Sequence, residues 1–222
     1  MTKPRKKLLA AMILNLGIAV MEVIAISISM ERSDCFIFYT EDSNVFCFVS
    51  VVLNLIFSTL ILCGKRESVP LWVHSVRHMA TACVAMTFVV VVTVLAPMFS
   101  MFGGLWMSYK MLLFSRGVVF THFLCPLVSI LSFVLLEDRP ELPFRFNFIA
   151  LIPTAVYGVI AVTLNILRIW EGPYPFLMVY EQSVWMSCLW LIIMGIFAYG
   201  ISWLIWKGNR AVSHKAQKEK TA

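Results

Sequence analysis

Two ionisable side chains, Arg116 and His122, lie inside one apolar stretch of the sequence, from Leu112 to Leu136. An ionisable group at bilayer depth costs a few kcal/mol, so such residues usually face the interior of a helix bundle. The imidazole of His122 can also accept and release a proton near neutral pH. The stretch therefore offers a candidate general base inside a membrane-spanning segment.

Glu22 is predicted to lie at about the depth of His122. Both residues are roughly 12 to 15 Å below the same edge of the predicted bundle, at a rise of about 1.5 Å per helical residue. Glu22 could pair with His122 or neutralise Arg116, and either contact would lower the cost of burying the charges. A polar clasp that only fixes helix packing would use the same residues. The sequence is compatible with both a structural clasp and an active site.

A threonine stands just before the second apolar segment, in the stretch Phe38–Asn44 with the sequence FYTEDSN. Thr40 or Asp42 could cap the first amides of a helix, with acidic residues at the positive end of its dipole. Alternatively, the Thr40 hydroxyl is a nucleophile, which requires a nearby base such as His122. The residues alone leave both roles open.

The composition indicates the class of protein. The chain has 222 residues, of which 60% are hydrophobic and 14% charged, with a mean hydropathy of +0.87. Because soluble domains carry about 25% charged residues, this is an integral membrane protein. The net charge of +6 comes from basic residues at the ends of apolar segments, which argues against a nucleic-acid partner.

No metal or cofactor is expected from the cysteines and histidines. The six cysteines show no CxxC spacing, so the sequence predicts no disulfide framework and no zinc or iron–sulfur site. Cys35 is predicted to lie in an exposed loop. His74 and His78 stand four residues apart, a spacing that can bind a metal, but no third ligand follows at a suitable distance.

Six apolar segments are long enough to cross a bilayer, and the third is predicted to break near its end at Pro97. They are Leu8–Met30, Asn44–Cys63, His78–Met101, Leu112–Leu136, Phe146–Leu167 and Val184–Trp206. An even number of spans puts both termini on one side, and that side receives fourteen of the 18 Lys and Arg residues. The positive-inside rule then predicts an all-α membrane protein with six transmembrane helices and both termini cytoplasmic. Residues 1–206 form the single transmembrane domain, and the basic tail 207–222 is predicted to be disordered.

Three motifs occur in order along this six-span chain. They are FYTEDSN at residues 38–44, THFLCP at residues 121–126 and GPYPFL at residues 172–177. Together they resemble the androgen-induced gene/FAR-17a family and its bacterial relatives, from about Ile37 to Trp206. The animal members of that family hydrolyse fatty acid esters of hydroxy fatty acids with a threonine nucleophile and a histidine. The resemblance implies Thr40 and His122 for those two roles, while the TEDSN run is more similar to the bacterial branch.

The leading hypothesis is a membrane-embedded hydrolase of lipid esters. Thr40 attacks the ester carbonyl, His122 takes the hydroxyl proton, and water releases the acyl-enzyme. The expected partners are a lipid or fatty-acyl substrate and the membrane, with no nucleic acid and an oligomeric state that the sequence does not specify. The expected location is the plasma or cytoplasmic membrane, or an endomembrane in a eukaryote. The alternative is a non-enzymatic lipid-binding or transport protein that uses the same polar pocket.

Four further residues are predicted to support this site. Glu22 would orient or charge-stabilise the histidine, and Asn44 or Arg116 would hold the oxyanion or a substrate carboxylate. Tyr174 lies in a loop with two prolines, which is either a rigid turn anchored at the membrane interface or a lid over a polar cavity.

Overall fold

The computed structural model describes residues 3–31, 33–137 and 142–221, with the backbone alone for residues 3, 4, 102 and 216–221. This part of the chain is predominantly helical and contains no strand. Its helices are α1 (Lys3–Ser29), α2 (Tyr39–Leu62), α3 (Leu71–Phe99), α4 (Leu105–Phe114), α5 (Phe120–Leu136), α6 (Phe146–Ile166) and α7 (Val184–Thr221). Short 3₁₀ turns occur at Cys35–Ile37 and Pro175–Leu177.

Five of the described helices are long and apolar enough to cross a membrane, namely α1, α2, α3, α6 and α7. This confirms an all-helical, multi-pass membrane protein. α3 is the centre of the bundle, because 61% of its most apolar window is buried, against at most 33% in the other four. α2, α5 and α7 all pack against it, and α1 packs on α2 and α5.

The fourth predicted span is divided in two, so its predicted start at Leu112 is wrong. α4 ends at Phe114, Ser115 takes an extended conformation with ψ 147°, and α5 is a shorter apolar helix. Gly117, in the turn between them, is packed so closely on α1 that an added Cβ would lie 2.8 Å from Ile28 Cγ2. Glycine, which has no Cβ, permits this close approach.

Several other boundaries differ from the predicted ones. α2 begins at Tyr39 rather than at Asn44, and α3 begins at Leu71 rather than at His78, so both helices start earlier than the apolar segments predict. α7 continues to Thr221, through most of the tail for which disorder is predicted. That tail contains no proline, and seven of its 16 residues are Lys or Ala, which are good helix formers. Cys35, predicted to be exposed, is only 5% exposed because the 3₁₀ turn folds it inward.

Two prolines are accommodated within helices by π-helical turns. The predicted break at Pro97 is absent, since α3 continues through it after a π turn at Val91–Leu95. Pro126 in α5 follows a π turn at Phe120–Leu124 in the same way. A proline has no amide hydrogen to donate to the carbonyl four residues earlier, so the residue before each one donates five residues back instead. The turn in α5 contains His122.

The buried faces of the bundle are polar and small, and the outer faces are apolar. On α2 the buried positions recur at a helical spacing of three or four residues: Thr40, Ser43, Asn44, Cys47, Ser50, Val51, Asn54 and Ser58. Large apolar side chains such as Ile13, Val159 and Ile196 point outward. Lipid tails solvate such surfaces, whereas small and polar residues permit close helix packing and interhelical hydrogen bonds. This arrangement places hydroxyl, amide and ionic groups inside the bundle.

Candidate active site

The structure brings Thr40 and His122 together across 82 residues of sequence. Thr40 Oγ1 lies 3.2 Å from His122 Nε2, and the threonine is 6% exposed. Phe38 is the N-cap residue of α2, and no side chain caps that helix. The Thr40 hydroxyl, in the first turn, therefore faces the histidine rather than an amide of its own helix.

The hydrogen bond at the other ring nitrogen defines the tautomer of His122. Nδ1 lies 2.6 Å from the main-chain oxygen of Leu112. A carbonyl only accepts, so Nδ1 must carry the proton, and Nε2 of the neutral ring is then an acceptor. The Thr40 hydroxyl can donate to Nε2, which is the arrangement a general base needs before it removes that proton.

The Leu112 carbonyl is free to orient the imidazole because α4 ends two residues later. The last four carbonyls of a helix lack intrahelical partners, and they bond to whatever donor the fold places there. The π turn at Phe120–Leu124 carries His122 to that position, and π turns inside α-helices are frequent at functional sites. The break between α4 and α5 thus supplies the acceptor that orients the imidazole of His122.

Asn44 links the two helices that carry Thr40 and His122. Its Nδ2 donates to the main-chain oxygen of Thr40 at 2.7 Å and to that of Thr121 at 3.3 Å. Because an amide nitrogen has two hydrogens, both are used, and none is left for an oxyanion. The predicted oxyanion role of Asn44 is therefore replaced by a positioning role.

We expect Asn44→Leu to unfold more easily, by roughly 1–3 kcal/mol, because two buried carbonyls each lose a hydrogen bond. The measurement is thermal unfolding in detergent. Ser50→Ala is the matched control on the same helix, since the buried Ser50 Oγ donates to the main-chain oxygen of Cys47 within that helix. A loss in the control as large as that in Asn44→Leu would contradict the interhelical role.

Tyr174 supplies a second hydroxyl at Thr40. Its OH lies 3.4 Å from Thr40 Oγ1, and its ring stacks on Phe176 with centroids 5.2 Å apart. Burial raises the pKa of Tyr174 to about 12, so the phenol keeps its proton at neutral pH. A protonated phenol can donate to a developing oxyanion, which is the predicted supporting role of Tyr174 in more specific form.

Asn165 holds the loop that carries Tyr174, a role that sequence reasoning missed. Its Oδ1 accepts from the amide of Val179 at 2.9 Å, and its Nδ2 donates to the main-chain oxygens of Trp170 and Glu171. Asn165 is 4% exposed. One side chain on α6 thus fixes both ends of the loop. An asparagine near the end of an apolar segment, followed by a loop rich in proline, was the available signal.

A cavity of about 430 Å³ adjoins the pair and lies between α3, α6 and α7. Thr40 and Tyr174 line one part of it, and the rest of the wall is mainly aliphatic, with Val90, Leu95 and Met194 among its members. We call it the Thr40 cavity. Its volume is within the range of known small-molecule sites, about 300–1,000 Å³, and its wall is suited to an apolar ligand.

Glu22 does not reach the site, contrary to the prediction. It is fully buried, its carboxyl interacts with the thiols of Cys47 and Cys125, and Arg77 lies within electrostatic range. The Nδ1 atom of His122 bonds to the Leu112 carbonyl, so a main-chain oxygen rather than Glu22 orients the imidazole. The carboxyl lies beside Cys47 and Cys125, which follow Thr40 by seven residues and His122 by three along their helices.

Arg116 is also outside the site. Its side chain is 78% exposed, and its guanidinium lies 3.8 Å from Glu31. It belongs to the turn between α4 and α5 rather than to a membrane-spanning helix, which removes the reason to expect it in the bundle interior. The structure therefore does not bring Arg116 to the Thr40–His122 pair, where a contact with an oxyanion or a substrate carboxylate is predicted.

A buried ionic cluster, which sequence reasoning missed, lies in the other half of the bundle. Arg77 Nε donates to Glu137 Oε1 at 3.1 Å, and both side chains are at most 1% exposed. The remaining four guanidinium hydrogens have acceptors on Thr81, Ser129 and Asn15. All five donors are used, so the cluster is a closed clasp between α1, α3 and α5.

The sequence did contain a signal for this cluster. Pro70 is suited to a helix start, and from there His74, Arg77, His78 and Thr81 fall on one face. The two histidines are fully buried against Phe133, and His78 Nε2 lies 3.0 Å from Ser202 Oγ. In the described ranges, no group of three His, Cys, Asp or Glu residues is placed to hold a metal ion.

Comparison of the chain with family models, with curated proteins and with solved structures finds no match. The family resemblance therefore rests on the three sequence motifs alone. Two of them, FYTEDSN and THFLCP, carry the residues that meet at 3.2 Å, and the third carries Tyr174.

Proposed function

We propose that the protein is a membrane-embedded hydrolase of lipid esters in which Thr40 is the nucleophile and His122 the general base. One observation carries the proposal. The Thr40 hydroxyl lies 3.2 Å from a ring nitrogen that must be an acceptor, because the Leu112 carbonyl holds the other nitrogen in its protonated form. The apolar Thr40 cavity beside the pair supports a fatty-acyl ester as the substrate.

The proposed reaction has two halves. Thr40 Oγ1 forms a bond to the ester carbonyl carbon as its proton passes to His122 Nε2. The carbonyl oxygen becomes an oxyanion, to which the Tyr174 hydroxyl donates. His122 returns the proton to the leaving alkoxide as the ester C–O bond breaks, leaving an acyl-threonine and an alcohol. In the second half, His122 takes a proton from water, the resulting hydroxide attacks the acyl carbon, and the proton passes to Thr40 as the fatty acid leaves.

The alternative is a lipid-binding or transport protein. A transporter needs a polar path through the half of the bundle opposite Thr40, and the described residues there include the closed Arg77–Glu137 clasp. Opening such a path would break a buried ion pair whose donors are all paired, at a cost of several kcal/mol. Lipid binding without turnover is compatible with the same cavity and is separated from hydrolysis by the experiment below.

The test is covalent labelling with a fluorophosphonate probe that carries a long alkyl chain. We expect the probe to label the wild-type protein in lipid nanodiscs and mass spectrometry to place the adduct on Thr40. A long-chain fatty acid should compete, because it occupies the same cavity. Labelling only at residues remote from His122, or no labelling of a folded protein, would support lipid binding without catalysis.

The number of membrane spans and the side on which the termini lie are also proposed. We infer that α5 crosses the membrane as a sixth span and that both termini are cytoplasmic, because thirteen of the 18 Lys and Arg residues then lie in cytoplasmic segments. A chain with this orientation belongs in the plasma or cytoplasmic membrane, or in an endomembrane of a eukaryote.

Accessibility of single cysteines separates six spans from five. Cys63 is exposed in the loop after α2, and Ser33 and Ala211 are exposed positions for introduced cysteines. We expect a membrane-impermeant maleimide to label Ser33→Cys from outside, and Cys63 and Ala211→Cys only after permeabilisation, with Cys188 replaced by alanine throughout. Labelling of Ala211→Cys from outside would show that α5 does not cross.

A further inference from the structure

The wall of the Thr40 cavity is suited to a hydrocarbon chain along most of its length. Two of its polar side chains are already bonded to each other, since Tyr39 OH lies 2.7 Å from Thr154 Oγ1. A third, Thr87 Oγ1, lies 3.0 Å from Ser43 Oγ. These groups have partners and need none from a ligand. The ester carbonyl is then expected at the Thr40 end, with the apolar chain extending away from it.

The cavity opens sideways between α6 and α7. Val159 on α6 and Leu191 on α7 both line it, yet they are 67% and 47% exposed. A side chain that lines a cavity and also lies on the outer surface marks an opening. The outer faces of α6 and α7 carry large apolar residues such as Ile160 and Ile192, so the opening faces the hydrocarbon of the bilayer.

Two glycines leave space in the wall of this opening. Gly158 on α6 and Gly195 on α7 line the cavity, and a Cβ added at either position would meet no atom within 4 Å. Glycine inside a helix costs about 0.5–1 kcal/mol relative to alanine. Because Gly158 and Gly195 have no side chain, the space that a longer side chain would fill is left for a ligand.

We propose that the Thr40 cavity is an acyl-chain site that receives one straight fatty-acyl chain sideways from the bilayer, and that Gly158 and Gly195 set the room for that chain. The inference rests on the proposed function, because the chain is the acyl part of the ester whose carbonyl lies at Thr40. The substrate class is a long-chain acyl ester dissolved in the membrane, rather than a short water-soluble ester. A second cavity of about 690 Å³ adjoins Tyr39 and Tyr157, but Thr40 does not line it.

Chain binding is tested without turnover, in a Thr40→Val background in nanodiscs. A photoreactive palmitate with a diazirine at its far end should label peptides of α6 and α7. Gly158→Leu with Gly195→Leu should lower that labelling about tenfold. Gly158→Ala with Gly195→Ala should lower it less, and its melting temperature should be no lower than that of the Thr40→Val protein. Gly200→Leu is the control, because Gly200 also has no atom within 4 Å of an added Cβ but does not line the cavity.

Two results would overturn the acyl-chain site: unchanged labelling in both the leucine and the alanine pairs, or an equal loss in Gly200→Leu. A separate measurement uses the native Thr40 background and gives the rate of palmitoyl-ester hydrolysis divided by that of butyryl-ester hydrolysis. Gly158→Leu with Gly195→Leu should lower this ratio at least tenfold. Chain labelling without hydrolysis by the wild type would leave the chain site standing and refute the hydrolase. Hydrolysis with an unchanged ratio of the two rates would support the hydrolase and refute the acyl-chain site.

Discussion

Replacing Thr40 by valine is expected to lower hydrolysis of a long-chain ester at least about a thousandfold, since the nucleophile and the partner of the base are lost together. Valine keeps the shape of threonine but has no hydroxyl within 3.2 Å of His122. Thr40→Ser keeps the hydroxyl and is expected to stay within about tenfold of the native rate. Initial rates in nanodiscs, at equal amounts of folded protein, make the comparison.

Thr40→Asn distinguishes a nucleophile from a side chain that only donates a hydrogen bond to His122. The asparagine amide can still donate to His122 Nε2, so this variant should fold with near-native stability. An amide cannot form an acyl-enzyme, so hydrolysis and probe labelling should both be lost. Thr59→Val is the control on the same helix, because the Thr59 hydroxyl bonds only to the carbonyl of Leu55. Native-rate hydrolysis by Thr40→Asn would remove the central residue of the proposal.

Arg77→Met is expected to destabilise the protein by about 3–5 kcal/mol, because it leaves the Glu137 carboxylate buried without its counter-ion. The effect should appear as a large fall in the melting temperature in detergent. Arg77→Met combined with Glu137→Gln should recover much of the loss, since no charge is then left unpaired.

Arg116→Met is the matched control for that experiment. The ion pair between Arg116 and Glu31 is 3.8 Å long and exposed on both sides, and such pairs contribute at most about 1 kcal/mol. Arg77→Met should therefore lower the melting temperature far more than Arg116→Met does. Equal effects of the two substitutions would show that the Arg77 cluster is not a clasp.

The contact between Thr40 and His122 could be predicted from the sequence because it depends on the identity of the two side chains. A hydroxyl and an imidazole at the same end of a predicted bundle, within motifs that resemble a hydrolase family, already imply a contact. The acceptor that orients the histidine could not be anticipated in the same way. It is the main-chain oxygen of Leu112, which any residue would supply, and it is free only because α4 stops at Phe114.

The assignments of Arg77 and Arg116 failed because burial depends on where a helix begins. Hydropathy placed Arg77 in a loop and Arg116 in a span, whereas α3 starts six residues before Arg77 and a turn contains Arg116. Apolar composition shows which segments enter the membrane, but it does not show how far polar helical turns extend beyond them. Hydropathy also does not fix the depth of a side chain to within one or two helical turns, and Glu22 lies beside Cys47 and Cys125 rather than beside His122.

Arg77 and Glu137 are separated by 60 residues, which determines when their ion pair can form during synthesis. At about 5–20 residues per second, a ribosome needs roughly 3–12 s to add that stretch. Asn15 precedes Arg77, so the guanidinium has an amide partner in the nascent chain before its counter-ion exists. The hydrogen bonds around Arg77 can therefore be completed only after the end of α5 has been synthesised.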